Sequence, residues 1–327
     1  MLTQFEFRNK LSWFKKDILE DHSYLRELSK KEESLILESL GSLKDTDISY
    51  KKKYTPIPKL KGLQILYDDI MHSLLQENGF IIVKGFPTFS SKINLNQIKK
   101  LLLEFCLYLG TPLRQNKKHD ILFDVRSIEG IKLQTKDSRG PYVKDALPMH
   151  TDAGAILGMY CLSTSEIGGD TLLSSSRTVH DEIKKIRPDL LSVLYKPLYV
   201  DRRGNEPEGE LPYDLNPVFA MYENQLVCQY HQPFYLDAQK KFPDIPRLTI
   251  EQLEAIKLFD AISLREDIVF KIKLEEGDII FINNEKILHG RSSFDYVENE
   301  KIRHLLRIWL NTEKIQYTFP NFLGYPS

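Results

Sequence analysis

Two histidines and a nearby carboxylate are the first residues in the sequence whose spacing suits chemistry. The pattern His-x-Asp/Glu occurs twice, at His150 to Asp152 and at His180 to Glu182. Pro148 disfavours a helix around the first pair, and in an extended segment the side chains of positions i and i+2 project to the same side. His150 and Asp152 are therefore placed to share one metal ion. The second pair lies in a helical pattern, where positions two apart face different directions, so we interpret it as part of a solvated helix face.

A third metal ligand must come from a distant part of the chain, and His289 is the best candidate. It lies in a strand-like segment, FINNEKILHGRSSF, that follows the apolar run Ile279 to Ile282. Two histidines and one carboxylate on a β scaffold form a facial triad, which leaves positions open on the metal. This set suits non-haem Fe(II) and its oxygen chemistry, but it also suits Zn²⁺, so the triad alone does not identify the metal.

Two arginines follow in the segment IRHLLRIWLN, which has the period of a β-strand. Arg303 and Arg307 fall on the same face as Leu305 and Trp309. A solvent-exposed face would explain them without any function. A buried arginine, however, needs an anionic partner, and its guanidinium matches a carboxylate with two parallel hydrogen bonds. An inward-facing Arg303 beside a metal therefore indicates a cosubstrate that carries a carboxylate.

The elements that must position these residues change in character along the chain. From about residue 120 the sequence contains many short strand patterns, interrupted by helical inserts near Thr178 and after Thr249. The run EEGD, Glu275 to Asp278, predicts a hairpin turn between two of the strands. Many short strands separated by turns indicate a sandwich or a barrel.

The N-terminal part reads mainly as helix and linker. Ser23 to Leu43 has helical spacing, and the basic segment Ser49 to Leu60 contains two prolines and should be extended. Asn94 and Gln97 predict a capping box at the start of a further helix. We predict one domain over residues 1–327, with an N-terminal helical extension over 1–60 and a core with helical inserts over 80–315.

The motifs LPMHTD, GGDT, FINNEKILHGRSSF and RHLLRIWL occur in this order between Phe80 and Leu310. Together they resemble the iron- and 2-oxoglutarate-dependent oxygenases of the taurine dioxygenase (TauD/TfdA) and clavaminate synthase-like type. The resemblance implies a mainly β fold with α decoration, an α+β protein built on a double-stranded β-helix (jelly-roll) core with flanking helices.

The resemblance also implies roles for particular residues. The Fe(II) ligands would be His150, Asp152 and His289. Arg303 would bind the distal carboxylate of 2-oxoglutarate together with the hydroxyl of Thr171, although a threonine at the start of a strand after two glycines is also explained by structure alone. In relatives the position of Arg307 contacts either the substrate or the cosubstrate, and we assign it here to the substrate. Because an acid stands at Asp152, where halogenases of this type have a small residue, hydroxylation or another outcome of hydrogen abstraction is expected rather than halogenation.

The expected activity is hydroxylation of a C–H bond in a small polar, anionic or zwitterionic metabolite, with O₂ consumed and succinate and CO₂ produced. Two alternatives remain open at this point. A Zn²⁺ hydrolase with the same ligands would leave both arginines unexplained, and a non-catalytic β-barrel module would use them to hold an anionic ligand.

The resemblance does not identify the substrate. In the segment QLVCQYHQPFY relatives often carry an arginine, whereas this sequence has Gln229, His231 and Gln232. The substrates of those relatives therefore cannot be assumed for this protein.

Composition narrows the possible partners. Lysine and arginine number 45 and aspartate and glutamate 46, giving a net charge of −1, so no overall field attracts nucleic acid or an anionic membrane. No apolar run approaches the roughly 20 residues of a membrane span, and the N-terminus lacks a secretory pattern. We expect a cytoplasmic enzyme with a small-molecule substrate. The sequence makes no prediction of oligomeric state.

Four aromatic residues are candidates for lining the pocket, although core packing explains each of them equally well. They are Tyr142, Tyr160, Tyr230 and Trp309.

Overall fold

The computed structural model describes residues 10–42, 58–116, 118–127, 142–206, 208–222, 224–295 and 302–315. The described helices are Lys15–Glu20 (α1), Lys30–Ser39 (α2), Gln64–Gln76 (α3), Leu95–Cys106 (α4), Ser176–Ile186 (α5), Pro188–Leu194 (α6), Gln232–Lys241 (α7) and Ile250–Ser263 (α8). The predicted helix that opens at Asn94 is confirmed, since the Asn94 and Gln97 side chains each accept a hydrogen bond from the other residue's backbone N–H.

The strands fill the rest of the described chain. They are Leu25–Glu27 (β1), Phe80–Lys84 (β2), Thr111–Pro112 (β3), Leu122–Arg126 (β4), Leu147–His150 (β5), Ile156–Ser163 (β6), Ile167–Gly168 (β7), Thr171–Ser175 (β8), Leu198–Asp201 (β9), Tyr213–Asn216 (β10), Phe219–Tyr222 (β11), Gln225–Cys228 (β12), Phe270–Ile272 (β13), Ile279–Asn283 (β14), Ile287–Arg291 (β15), Phe294–Asp295 (β16) and His304–Asn311 (β17).

Two sheets carry the architecture. The major sheet has the order β1-β2-β14-β6-β17-β3, and β4 also pairs with β17. The minor sheet has the order β13-β8-β15-β5. Short two-stranded ladders, β9 with β10, β11 with β12 and β7 with β16, lie outside these two sheets. This arrangement of sheets with flanking helices confirms the predicted fold class.

The alternating side chains of β17 show where the two apolar cores lie. Leu305 and Trp309 belong to the same core as Leu173 of the minor sheet, which lies opposite His289 in the register of β8 and β15, so this face of β17 is turned toward the minor sheet. Leu306, Ile308 and Leu310 project from the opposite face into a second core, which helices α3 and α4 cover. The face that carries Arg307 is therefore the inner face of the sandwich, and the exposed-face interpretation is excluded for this strand.

The N-terminal region differs from the helix predicted over Ser23 to Leu43. Residues 25–27 form β1, which pairs in parallel with β2 and extends the major sheet. The helix begins only at Lys30, because Ser29 caps it and the Glu32 carboxylate accepts the Ser29 backbone N–H. Most of the predicted extended segment, Ser49 to Leu60, lies outside the described residues; its last three residues begin a 3₁₀ helix, Pro58–Leu63.

The predicted hairpin at EEGD is wrong. The strand before it, β13, belongs to the minor sheet, and the strand after it, β14, belongs to the major sheet. The turn therefore carries the chain from one sheet to the other. Gly277 has a φ of +91° and its carbonyl accepts the Phe86 backbone N–H at 3.1 Å, so the turn is also tied to the end of β2.

We predict that Gly277→Ala destabilises the fold. A Cβ at this position would lie 2.8 Å from the Phe86 carbonyl oxygen, and the positive φ costs an L-residue about 1–2 kcal/mol. The free energy of unfolding, measured by urea titration, should fall by at least that amount. Gly41→Ala is the matched control, because a Cβ there meets nothing within 4 Å. Equal stability of Gly277→Ala and the wild type would contradict this account of the turn.

Candidate active site

The pairing of two minor-sheet strands brings two histidines together. His150 is the last residue of β5, and His289 lies in the middle of β15. The strands are antiparallel and His289 is directly opposite His150 in their register, so the two imidazole ring centres are 4.2 Å apart. Both side chains are buried on the inner side of the sandwich.

Asp152 completes the cluster from the loop that leaves β5. Its Oδ1 lies 3.9 Å from His150 Nε2, and its Oδ2 lies 3.6 Å from His289 Nε2. One potential ligand atom from each of the three residues lies within 4.8 Å of the other two. Within the described parts of the chain this is the group of histidine, cysteine and acidic side chains that fits a metal ion. The three predicted metal ligands are therefore brought together.

His150 is prepared to act as a neutral ligand. Its Nδ1 lies 2.8 Å from the Pro148 carbonyl oxygen, which can only accept, so Nδ1 carries the proton and Nε2 presents a lone pair. Burial and the neighbouring His289 lower the pKa of His150 to about 4. An imidazole that stays neutral at physiological pH is the form that binds metal.

Asp152 is held as an anion. Burial alone would raise its pKa, but the Arg307 guanidinium and the nearby His289 imidazole hold the pKa of Asp152 well below its usual range. Arg307 Nη1 donates to Asp152 Oδ2 at 2.9 Å, and Trp309 Nε1 donates to the same oxygen at 3.1 Å. Arg307 is itself oriented by Gln115, whose Oε1 accepts from Arg307 Nε at 2.8 Å. Sequence reasoning missed the bond from Trp309, since it assigned this residue only to the pocket wall or the core.

Asn284 fixes the backbone that carries Asp152. Its Oδ1 accepts the Asp152 backbone N–H at 3.0 Å, and its Nδ2 donates to the carbonyls of Ala153 and Gly154 at 3.2 and 3.1 Å. Because Asn284 lies in the turn between β14 and β15, one side chain connects the Asp152 loop to the strand of His289. Nothing in the sequence indicated which distant loop Asn284 would bind.

Arg303 and Thr171 lie at a second position along the sandwich. Arg303 is 5% exposed, and its Nε donates to the Gly169 carbonyl at 3.2 Å. Its guanidinium carbon lies 5.6 Å from the centre of the Phe294 ring. Thr171 is buried at the start of β8, two residues after Gly169. The structure thus places the predicted cosubstrate arginine inside the protein and its proposed partner on the neighbouring stretch of chain.

The three nitrogens of the Arg307 guanidinium differ in their hydrogen bonds. Its Nε and Nη1 are bonded to Gln115 and Asp152, whereas Nη2 has no hydrogen-bond partner among the described residues. The guanidinium carbon lies 4.4 Å from the Trp309 ring centre and 5.4 Å from that of Phe123. Arg307 therefore contacts a metal-ligand candidate directly and keeps one donor for another molecule.

His231 is a further functional candidate, which the sequence analysis named without assigning it a role. Its ring centre lies 4.8 Å from that of His150 and 3.6 Å from that of Phe234, against which it stacks. Burial and the adjacent His150 lower its pKa well below the usual range, so it is neutral. Its buried Nδ1 has no hydrogen-bond partner within the described residues. Gln232, from the same segment, is hydrogen-bonded outside the cluster, since its Nε2 donates to Asp260 at 2.6 Å.

The donor set fits a divalent redox metal. Two imidazole nitrogens and one carboxylate oxygen form the 2-His-1-carboxylate arrangement of non-haem Fe(II) oxygenases. The anion at Asp152 offsets part of the metal charge, and the proton on His150 Nδ1 leaves Nε2 available. The chain's own residues therefore fit the predicted metal.

None of the described helices is long and apolar enough to cross a bilayer.

Comparison with known proteins places the chain among dioxygenases. Residues 55–309 match the family model described as taurine catabolism dioxygenase TauD, TfdA family. FR-33289 synthase of Streptomyces rubellomurinus is 29% identical over 72% of this chain and 69% of its own length. The taurine hydroxylase-like protein SAT17 of Stachybotrys chartarum is 25% identical over 96% of this chain and 82% of its own.

A solved structure supports the fold. Asparagine oxygenase in complex with Fe(II), 2S,3S-3-hydroxyasparagine and succinate superposes with a TM-score of 0.64 at 15% sequence identity, covering 88% of this chain and 94% of the other. The predicted enzyme class is confirmed, and the predicted cofactors Fe(II), 2-oxoglutarate and O₂ agree with the donor set of the cluster. A zinc hydrolase and a non-catalytic module are both at odds with the matching family. The chain belongs to the TauD/TfdA family of dioxygenases.

Proposed function

We propose that this enzyme uses Fe(II), 2-oxoglutarate and O₂ to hydroxylate a C–H bond of a small polar, anionic or zwitterionic metabolite, with succinate and CO₂ as co-products. The observation that carries the proposal is the buried cluster of His150, Asp152 and His289. Arg307 of β17 donates to the Asp152 carboxylate, and the buried Arg303 lies just before the same strand. Family membership supports the dioxygenase class.

The metal would be held by His150 Nε2, Asp152 Oδ1 and His289 Nε2. When bound, iron with three protein ligands supplies O₂ activation at the positions that the protein leaves open. The protein's own contribution is to keep His150 neutral and Asp152 charged, and to hold the two histidines opposite each other in the ladder between β5 and β15.

For 2-oxoglutarate, we assign the distal carboxylate to Arg303 and the hydroxyl of Thr171. A guanidinium that is only 5% exposed has lost most of its hydration, so a carboxylate that pairs with it offsets a large desolvation cost. Packing of Arg303 against Phe294 and its bond to the Gly169 carbonyl restrict its orientation before the cosubstrate binds.

For the substrate, we assign an anionic group to Arg307 and an uncharged polar group to the wall formed by His231. Arg307 Nη2 and His231 Nδ1 have no hydrogen-bond partner among the described residues, and the His231 ring lies beside that of His150. The relatives support a zwitterion, since asparagine oxygenase contains a hydroxylated amino acid and SAT17 is described as taurine hydroxylase-like. The aromatic rings of Trp309 and Phe123 lie 4.4 and 5.4 Å from the Arg307 guanidinium carbon and restrict the orientation in which it meets a substrate anion.

An anaerobic titration followed by a substrate screen tests the proposal. Protein loaded with Fe(II) should develop a weak visible charge-transfer band when 2-oxoglutarate is added, and exposure to O₂ should then yield succinate. A panel of amino acids and aminosulfonates, read out by succinate formation, should contain compounds that accelerate turnover. Absence of the band and of succinate from the Fe(II)-loaded protein would reject the proposal, and turnover with Zn²⁺ in place of Fe(II) would reject the redox mechanism.

His289→Ala should abolish Fe(II) binding and succinate formation, because it removes one of three ligands. Circular dichroism and the cooperative unfolding transition should remain, since the substitution opens a small space in an otherwise intact strand ladder. His180→Ala is the control, because this histidine bonds Asp181 and Tyr195 away from the cluster. The interpretation of His180 as part of a solvated helix face is wrong, since its side chain is buried in α5. Wild-type turnover by His289→Ala would remove this residue from the ligand set.

Arg303→Ala should chiefly raise the concentration of 2-oxoglutarate needed for half-maximal turnover. Loss of a charge-assisted pair worth about 1.5–3 kcal/mol corresponds to a rise of about 10- to 100-fold. Fe(II) affinity should stay close to that of the wild type. Arg265→Ala, which removes an arginine paired with Glu182 and Asp267, should leave the requirement unchanged. An unaltered requirement in Arg303→Ala would place the carboxylate clamp elsewhere.

A further inference from the structure

The two oxygens of Asp152 have different surroundings. Oδ2 accepts two hydrogen bonds, from Arg307 Nη1 at 2.9 Å and from Trp309 Nε1 at 3.1 Å. Oδ1 has no donor among the described residues and lies 3.9 Å from the metal-facing nitrogen of His150. The protein thus occupies one oxygen of the carboxylate and leaves the other for the metal.

This asymmetry matters because the metal has a limited number of positions. Two imidazoles and one carboxylate oxygen would use three of the positions on such a metal and leave the others open for the 2-oxo acid and O₂. A carboxylate that bound through both oxygens would take a fourth position. One of the three positions that the proposed reaction needs would then be lost.

Of the two donors, the indole is better suited to a permanent role. Trp309 is 3% exposed and belongs to the core between the sheets, so its ring has no room to turn. It also lies on β17, which pairs with both β6 and β4 across the major sheet. Arg307, by contrast, has a flexible side chain whose remaining donor we assign to the substrate.

We propose that Trp309 is a positioning residue that keeps Asp152 a one-oxygen metal ligand and thereby preserves the position that 2-oxoglutarate needs. The inference rests on the proposed function, because it assumes that the cluster holds the metal. Trp309 acts through Asp152 and does not itself touch the metal or the reacting atoms.

Trp309→Phe is the direct test, since it retains an aromatic ring in the core and removes only the N–H donor and part of the ring. The chain has two tryptophans, and Trp13→Phe is the matched control because Trp13 Nε1 donates to the Asn78 carbonyl, away from the cluster. Co(II) serves as the probe, with its affinity and its d–d absorption measured before and after addition of 2-oxoglutarate.

We expect Trp309→Phe to bind Co(II) about as tightly as the wild type. We expect the Co(II) form of this variant to bind 2-oxoglutarate about tenfold more weakly, which corresponds to about 1.4 kcal/mol, because it lacks one hydrogen bond to the charged Asp152 carboxylate. Trp13→Phe should change neither affinity. A purely structural role would lower both affinities of Trp309→Phe together with its stability. Wild-type 2-oxoglutarate affinity in Trp309→Phe would overturn the proposal.

The wild-type protein provides a second measurement that does not depend on folding of the variant. In protein whose aspartate carboxylates are isotopically labelled, the infrared difference spectrum on Co(II) binding should show the wide separation of carboxylate stretches expected of one-oxygen coordination. A narrow separation, which indicates two-oxygen coordination, would contradict the inference. Failure of the wild type to bind Co(II) at all would instead reject the proposed function.

Discussion

A single buried carboxylate, that of Asp152, is the group around which the site is arranged. A charge removed from water is costly unless other groups compensate it. The Arg307 guanidinium and the Trp309 indole of the major sheet bond the carboxylate, and the minor sheet places two imidazoles within 4 Å of it. The backbone N–H of Asp152 is bound by Asn284, in the turn that joins the sheets. A bound metal ion would add further positive charge, so the arrangement that makes the anion tolerable in the core also suits it as a ligand.

The two sheets contribute different residues to the site, and the positions of these residues on their strands explain why. Strand β17 sends apolar residues to the outer core on one face, which leaves its other face to carry Arg307 and Trp309 toward the site. Strands β5 and β15 lie side by side, so their two histidines need no long side chains to meet. Arg303, at the beginning of the same arginine-bearing segment, is displaced along the sandwich from Arg307. Under the proposed function, this displacement would give 2-oxoglutarate and the substrate separate cationic partners.

Much of this arrangement was accessible from the sequence because it depends on local periodicity. The alternation in IRHLLRIWLN correctly predicts which residues share a face, and the extended segment after Pro148 correctly predicts that His150 and Asp152 lie close together. What local pattern does not encode is the identity of the sheet to which a strand belongs. The turn at EEGD has the composition of a hairpin, but its strands pair with β8 and with β2 and β6. The bond from Trp309 to Asp152 spans 157 positions in the chain and follows only from the packing of the sheets.

The central claim is that His150, Asp152 and His289 bind one redox metal. The most direct measurement is a crystal structure of the Fe(II)-loaded protein, prepared without oxygen, with the metal located by anomalous scattering at the iron absorption edge. The account predicts one strong peak between the sheets, about 2 Å from His150 Nε2, Asp152 Oδ1 and His289 Nε2. Iron bound at another place, or a fully loaded protein with no peak among these three side chains, would contradict it.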